Sequence, residues 1–305
     1  MNRTRHACLG VAAAAALLAA SCGGDGTAAP GGTSGADDTP DAGAPDGPAM
    51  DSGKPPADFV PLITADWTLS AGEEGYVCAT KTLTETLHVG AIRPLAPPGT
   101  HHTVVGLFTT PAGPDDPGFK CGPSFGQFYA SGVGTGELVL PAGVGLIAQA
   151  GQQLHLNLHV FNTTGDVLSN TSGVEVRLLA PSEVEHEASI SFYGPFGFQI
   201  PAAGEYSVTH PSMFGEARTV FAIFPHMHRI GSHFTAEVVH GGATTKLRDD
   251  DFQFESQEFA AIPPVTVEAG DVLNTTCTWT NTTGQTVTYG DSSNDEMCFT
   301  ILMSY

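Results

Sequence analysis

Leu154-His155-Leu156-Asn157-Leu158-His159-Val160 alternates apolar and polar residues without a break. A period of two places every second side chain on one face, the pattern of a strand with one face against a core. Val174-Glu175-Val176-Arg177-Leu178 and Phe299-Thr300-Ile301-Leu302 read the same way. Between such runs stand turn signals: Pro141-Ala142-Gly143, Thr163-Thr164-Gly165-Asp166, Pro201-Ala202-Ala203-Gly204 and Asn281-Thr282-Thr283-Gly284. No 3.6-residue apolar stripe runs beyond two turns. Glycine (37) and proline (22) are abundant and charged residues are only 14%, which suits short strands and turns better than helices with charged outer faces. The prediction is an all-β protein of two tandem antiparallel jelly-roll-like β-sandwich domains, 58–182 and 183–305. The break falls in Pro181 to Glu187 (PSEVEHE).

The first 57 residues read differently. Arg3 and Arg5 precede an apolar stretch, Val11 to Ala20, that is too short to span a bilayer. It ends Leu18-Ala19-Ala20-Ser21-Cys22-Gly23, similar to a bacterial lipobox, so residues 1–21 are expected to be a signal peptide and Cys22 the lipidated residue. Residues 22–57 are nearly all Gly, Ala, Pro, Asp, Ser and Thr and cannot bury enough apolar surface to order themselves. They are expected to form a disordered acidic tether. The protein is thus expected to be exported and held in the cell envelope, touching membrane only through its lipid. A formal charge of −21, from 11 Lys and Arg against 32 Asp and Glu, argues against nucleic acid as a partner.

Cys8 would leave with the signal peptide and Cys22 would carry the lipid. That leaves Cys78, Cys121, Cys277 and Cys298, an even number in an oxidising compartment. Three pairings are possible; locality favours Cys78–Cys121 and Cys277–Cys298. Thiolate metal ligation lacks a Cys-x-x-Cys pair to support it.

Twelve histidines are many for this chain, and they are grouped. His226-Met227-His228 on a strand puts two imidazoles on one face with Cα atoms about 6.6 Å apart, close enough to grip one ion. His155 and His159 share a face but lie about 13 Å apart, so only one can serve a given metal. His101 and His102 are adjacent, and on a regular strand they would point to opposite faces. Convergence needs either different ring nitrogens or a kink, and Pro97-Pro98-Gly99 could supply an irregular backbone. Imidazoles alone leave Zn, Cu, Fe and Ni open; Met297, a soft thioether donor, favours Cu(I).

With these residues in view, the chain resembles the copper type II, ascorbate-dependent monooxygenases, the family of peptidylglycine α-hydroxylating monooxygenase and dopamine β-monooxygenase. The resemblance rests on His101-His102, Pro141-Ala142-Gly143-Val144-Gly145 ahead of Leu158-His159-Val160, His226-Met227-His228, and Ser292-Ser293-Asn294-Asp295-Glu296-Met297-Cys298. It implies two nine-stranded sandwiches and two copper ions. An electron-transferring copper would be held by His101, His102 and His159, and an oxygen-activating copper by His226, His228 and Met297. It also implies a disulfide within the second domain at the Cys beside Met297, in agreement with Cys277–Cys298. The implied reaction inserts one atom of O₂ into a C–H bond of a small molecule, with ascorbate as reductant.

One departure from the family bears on the substrate. In the peptide-amidating member, the positions matching Phe224, Phe299 and Ile301 carry Arg, Asn and Tyr, which hold a carboxylate. Apolar residues there imply a neutral, apolar or aromatic substrate. The alternative function is a cell-envelope protein that stores or delivers copper without oxygenase activity.

Overall fold

The computed structural model describes residues 59–122, 128–290 and 292–305; the expected signal peptide, tether and lipidated Cys22 lie outside the described residues. Among them the chain is strand and loop, broken by two single 3-10 turns, Pro181–Glu183 and Phe254–Ser256. No helix among the described residues is long and apolar enough to cross a membrane.

The fold is all-β, as the alternation predicts, and its sheets are almost wholly antiparallel. In the first half, one sheet runs Val60–Leu69, Leu168–Leu178, Leu87–Leu95, Val144–Ala148 and His186–Glu187, the last pair joining in parallel. The facing sheet runs Asp116–Lys120, Glu74–Thr82, Gln153–Phe161, Thr100–Phe108 and Tyr129–Ser131. Leu154, Leu156, Leu158 and Val160 are fully buried and meet Trp67, Ile92, Leu146 and Val174 in one core. Each such side chain contributes about 1.5–3 kcal/mol by leaving water. Trp67 keeps its indole N–H satisfied by donating to Ser172 Oγ at 2.7 Å.

In the second half, Ser189–Tyr193, Phe299–Ser304, Arg218–His226 and Ala260–Val267 form one sheet. Gly204–Met213, Val272–Asn281, Gly231–His240 and Ala243–Asp251 form another. Between them lies a core of Ile200, Phe234, Trp279, Leu302 and neighbours.

The reading of Phe299-Thr300-Ile301-Leu302 as a strand with one buried face needs correction. All six residues of Phe299–Ser304 are buried. Phe299, Ile301 and Met303 pack into the first core, together with Phe221, Phe224 and Phe259, while Leu302 packs into the second. A strand covered on both sides has no solvent face, and its polar members must pair inside. Accordingly, the Thr300 and Thr275 hydroxyls share a hydrogen bond of 2.6 Å.

Cysteines pair as locality favours. Cys78 joins Cys121 and Cys277 joins Cys298, each with Cα atoms 5.9 Å apart. The first bridge covers Asn157, the central polar residue of the alternating run. Asn157 is buried there and donates to the Gly122 carbonyl at 2.8 Å.

Candidate metal centres

The first centre depends on a β-bulge. Thr100 lies opposite Val160 while His102 lies opposite His159, so His101 is the extra residue. A bulge turns its strand locally, which lets adjacent side chains converge where a regular pleat would separate them. The turn before it requires Gly99: its φ is +94°, and a Cβ there would stand 2.6 Å from the Trp67 ring. His101, His102 and His159 then gather, with one ring nitrogen of each within 4.8 Å of the others.

Hydrogen bonds fix which nitrogens face inward. His101 Nε2 donates to Glu255 at 2.8 Å, and His159 Nε2 donates to Glu74 at 2.6 Å. With protons on Nε2, both lone pairs sit on Nδ1, and these two atoms are 3.1 Å apart. Two lone pairs aimed at each other repel unless a cation lies between them. The carboxylate–imidazole pairs are the arrangement that orients a histidine for metal and raises its basicity. His102 Nε2 is buried with no hydrogen-bond partner among the described residues. Burial first, then the neighbouring His101 and His159, holds the His102 pKa down to about 4. Burial likewise lowers that of His101. Both rings are therefore neutral donors at neutral pH. Tyr76 stacks on His159 at 4.6 Å and limits its rotation. These residues fit a copper or another borderline cation.

His155 is not part of this group. Its ring lies among Phe108 and Phe119, opposite Gly106 and Thr80 on the neighbouring strands.

At the second centre the H-x-H motif is not wholly on a strand, since its strand ends at His226. The C-terminal strand starts at Phe299, two residues past Met297. The cause is Glu296. Its buried carboxylate accepts the backbone N–H groups of His228 (2.8 Å) and Ile230 (2.9 Å) and the Trp279 indole N–H (2.9 Å), drawing both chains off the ladder. Burial pushes the Glu296 pKa up, and the three N–H groups pull against it.

The two imidazoles still meet, edge to face, with ring centroids 5.2 Å apart. Met227 between them is fully buried in the second core. His226 Nδ1 donates to Gln257 Oε1 at 2.8 Å; the Gln257 amide is oriented by its own donation to the Phe254 carbonyl. His228 Nδ1 donates to the Asp295 carbonyl at 3.1 Å. Both rings therefore carry their lone pairs on Nε2, the opposite tautomer to the first centre. Burial, then His228, holds the His226 pKa to about 4.

Met297 is half-buried and sits between Glu296 and the disulfide-bonded Cys298. Phe224 pairs with Ile301 and His226 with Phe299. Phe224, Phe299 and Ile301 are 4%, 5% and 3% exposed, and the Phe224 ring lies 6.1 Å from that of His226. They form an apolar floor beside the histidines.

Sequence reasoning missed Glu74, Glu255, Gln257 and Glu296. Only Glu296 had a signal, its place beside Met297; the others lie far along the chain from the histidines they hold.

Residues 198–305 match the family model described as copper type II ascorbate-dependent monooxygenase, C-terminal domain. No curated protein matches the chain. A solved structure of the infectious bursal disease virus Gx strain is 9% identical, covering 79% of this chain and 70% of that chain with a TM-score of 0.20. The VP2 subviral particle of the same virus is 8% identical, covering 83% of this chain and 72% of that chain with a TM-score of 0.19. Likeness that slight carries no argument. The matched residues enclose His226, His228, Glu296 and Met297 together, so the second half of the chain is similar to the C-terminal domain of the copper type II ascorbate-dependent monooxygenases.

Proposed function

We propose that this protein is a monooxygenase with two mononuclear copper sites, hydroxylating a C–H bond of a small, neutral, apolar or aromatic molecule. One oxygen atom of O₂ enters the substrate; two electrons from ascorbate and two protons take the other to water. The observation that carries this reading is the group of His101, His102 and His159, with the Nδ1 lone pairs of His101 and His159 facing each other, beside a second histidine pair whose Nδ1 atoms are both engaged. Copper, when bound, supplies the one-electron chemistry with O₂ that no side chain here can provide.

His101, His102 and His159 would hold the electron-transferring ion, and His226, His228 and Met297 the oxygen-activating one. Three imidazoles suit an ion that cycles between oxidation states, whereas two imidazoles and a thioether favour the reduced form and leave a coordination position open. Glu74, Glu255, Gln257 and the Asp295 carbonyl keep each imidazole in its tautomer. Phe224, Phe299 and Ile301 exclude water and offer no partner to a carboxylate, which would cost several kcal/mol to bury there. The sequence of residues 1–57 supports an exported protein held in the cell envelope by lipid on Cys22.

The test is oxygen uptake by copper-loaded protein with ascorbate, comparing neutral arylalkanes with acyl-glycines of similar size. Substrate-dependent uptake with a hydroxylated arylalkane product is expected. Faster turnover of acyl-glycines would overturn the substrate assignment. Two copper ions bound without turnover of any compound class would favour storage or delivery.

A further inference from the structure

One short segment touches both centres. The turn Phe254–Ser256 and the following Gln257 join the strand Ala243–Asp251 to the strand Ala260–Val267 in the second half. Glu255 accepts from His101 of the first centre at 2.8 Å, and its carboxylate is 3.9 Å from His102. Two residues on, Gln257 accepts from His226 of the second centre at 2.8 Å. Phe254 lies between, its ring 5.9 Å from that of His102 and 6.4 Å from that of His228. The two imidazoles are thus within about 12 Å of each other across one phenyl ring, as the sum of those separations requires.

The first half has a seat for this turn. Val133 N–H donates to the Glu255 carbonyl at 3.1 Å. Gly132 comes so close that a Cβ on it would stand 2.5 Å from that carbonyl oxygen, 3.0 Å from Gln257 N and 3.1 Å from Ser256 Cα. The obstacle would be backbone, which cannot swing aside as a side chain does. Gly132 follows directly on the edge strand Tyr129–Ser131, which pairs with the strand bearing His101 and His102.

We propose that Phe254–Gln257 couples the two metal centres, with Glu255 and Gln257 as positioning residues for His101 and His226. This rests on the copper reading above. A cation on His101 Nδ1 makes its Nε2–H a stronger donor to Glu255. That contact fixes the turn, and the fixed turn holds Gln257 against His226 Nδ1, keeping Nε2 as the ligand atom. Linkage makes the effect reciprocal: occupancy of the second centre must tighten the first by the same factor.

The test is Cu(I) affinity at each centre by chelator competition, with the full chain and no substrate. Glu255→Gln touches only the first centre and Gln257→Ala only the second. Each is expected to weaken the other centre as well, by about fivefold. Gly132→Ala keeps every ligand and is expected to weaken both centres together; Ser256→Ala, an exposed neighbour, is expected to change neither. An Glu255→Gln effect confined to the first centre, with the second unchanged within about twofold, overturns the coupling and leaves the copper reading standing. Absence of copper binding at both centres overturns the copper reading, and this inference with it. Should Gly132→Ala fail to fold, the two polar variants decide alone.

Discussion

His101 Nδ1 and His159 Nδ1 stand 3.1 Å apart although the residues are separated by 58 positions in the chain. Both rings are locked from behind by carboxylates, so the pair is set before any ion arrives. His159→Ala is expected to lower copper stoichiometry from two ions to one. His155→Ala, whose ring sits among Phe108 and Phe119, is expected to leave it at two. Metal analysis after desalting distinguishes these outcomes; greater loss in His155→Ala would show that the wrong strand histidine had been assigned.

Met297 lies two residues before Phe299, which pairs with His226. A thioether favours the reduced ion, so Met297→Ala should weaken Cu(I) at the second centre by about tenfold or more while sparing the first. Chelator competition reads both affinities. An equal loss at both, or preferential zinc uptake, would contradict the role.

Glu296 satisfies three N–H donors from a fully buried position. Glu296→Gln puts an NH₂ against donors and removes the charge, leaving at least one of them unsatisfied. A cost of about 2–4 kcal/mol in urea denaturation is expected, with His228 displaced and the second centre weakened. Unchanged stability would mean that the carboxyl is already neutral in the folded protein.

The Cys277–Cys298 bridge fixes the chain on which Met297 sits and spans 21 residues. Replacing both cysteines by Ala should cost about 3 kcal/mol through the freed unfolded chain. It should also weaken the second centre more than the first, measured by copper affinity under conditions where the variant is folded.

His233 has a different pH signature. Asp249 first, then Asp251, raises its pKa above the ordinary 6.5. A raised folded-state value gives stability that is fully present below pH 6.5 and lost as pH rises through the folded pKa. His233→Asn should therefore lower the denaturation midpoint at pH 5.5 and leave it nearly unchanged at pH 8.5. Added salt should shrink the difference, since the ring is exposed. An equal effect at both values would point to packing instead of charge.

The sequence alone determined the strands, because a period of two in Leu154 to Val160 has no helical reading. It singled out His226 and His228, but not that the strand ends at His226 and that Glu296 holds His228 beyond it. It could not determine that both faces of Phe299–Ser304 are covered, since burial on the second side comes from residues in the other half of the chain. Nor could it say how His101 and His102 converge, which depends on one extra residue in the register against His159. Tautomers were beyond it altogether. They are set by Glu74, Glu255, Gln257 and the Asp295 carbonyl, acceptors that reach their imidazoles only when distant segments pack. Local periodicity is written residue by residue. Which nitrogen carries a proton is decided by whichever acceptor the tertiary structure brings within about 3 Å.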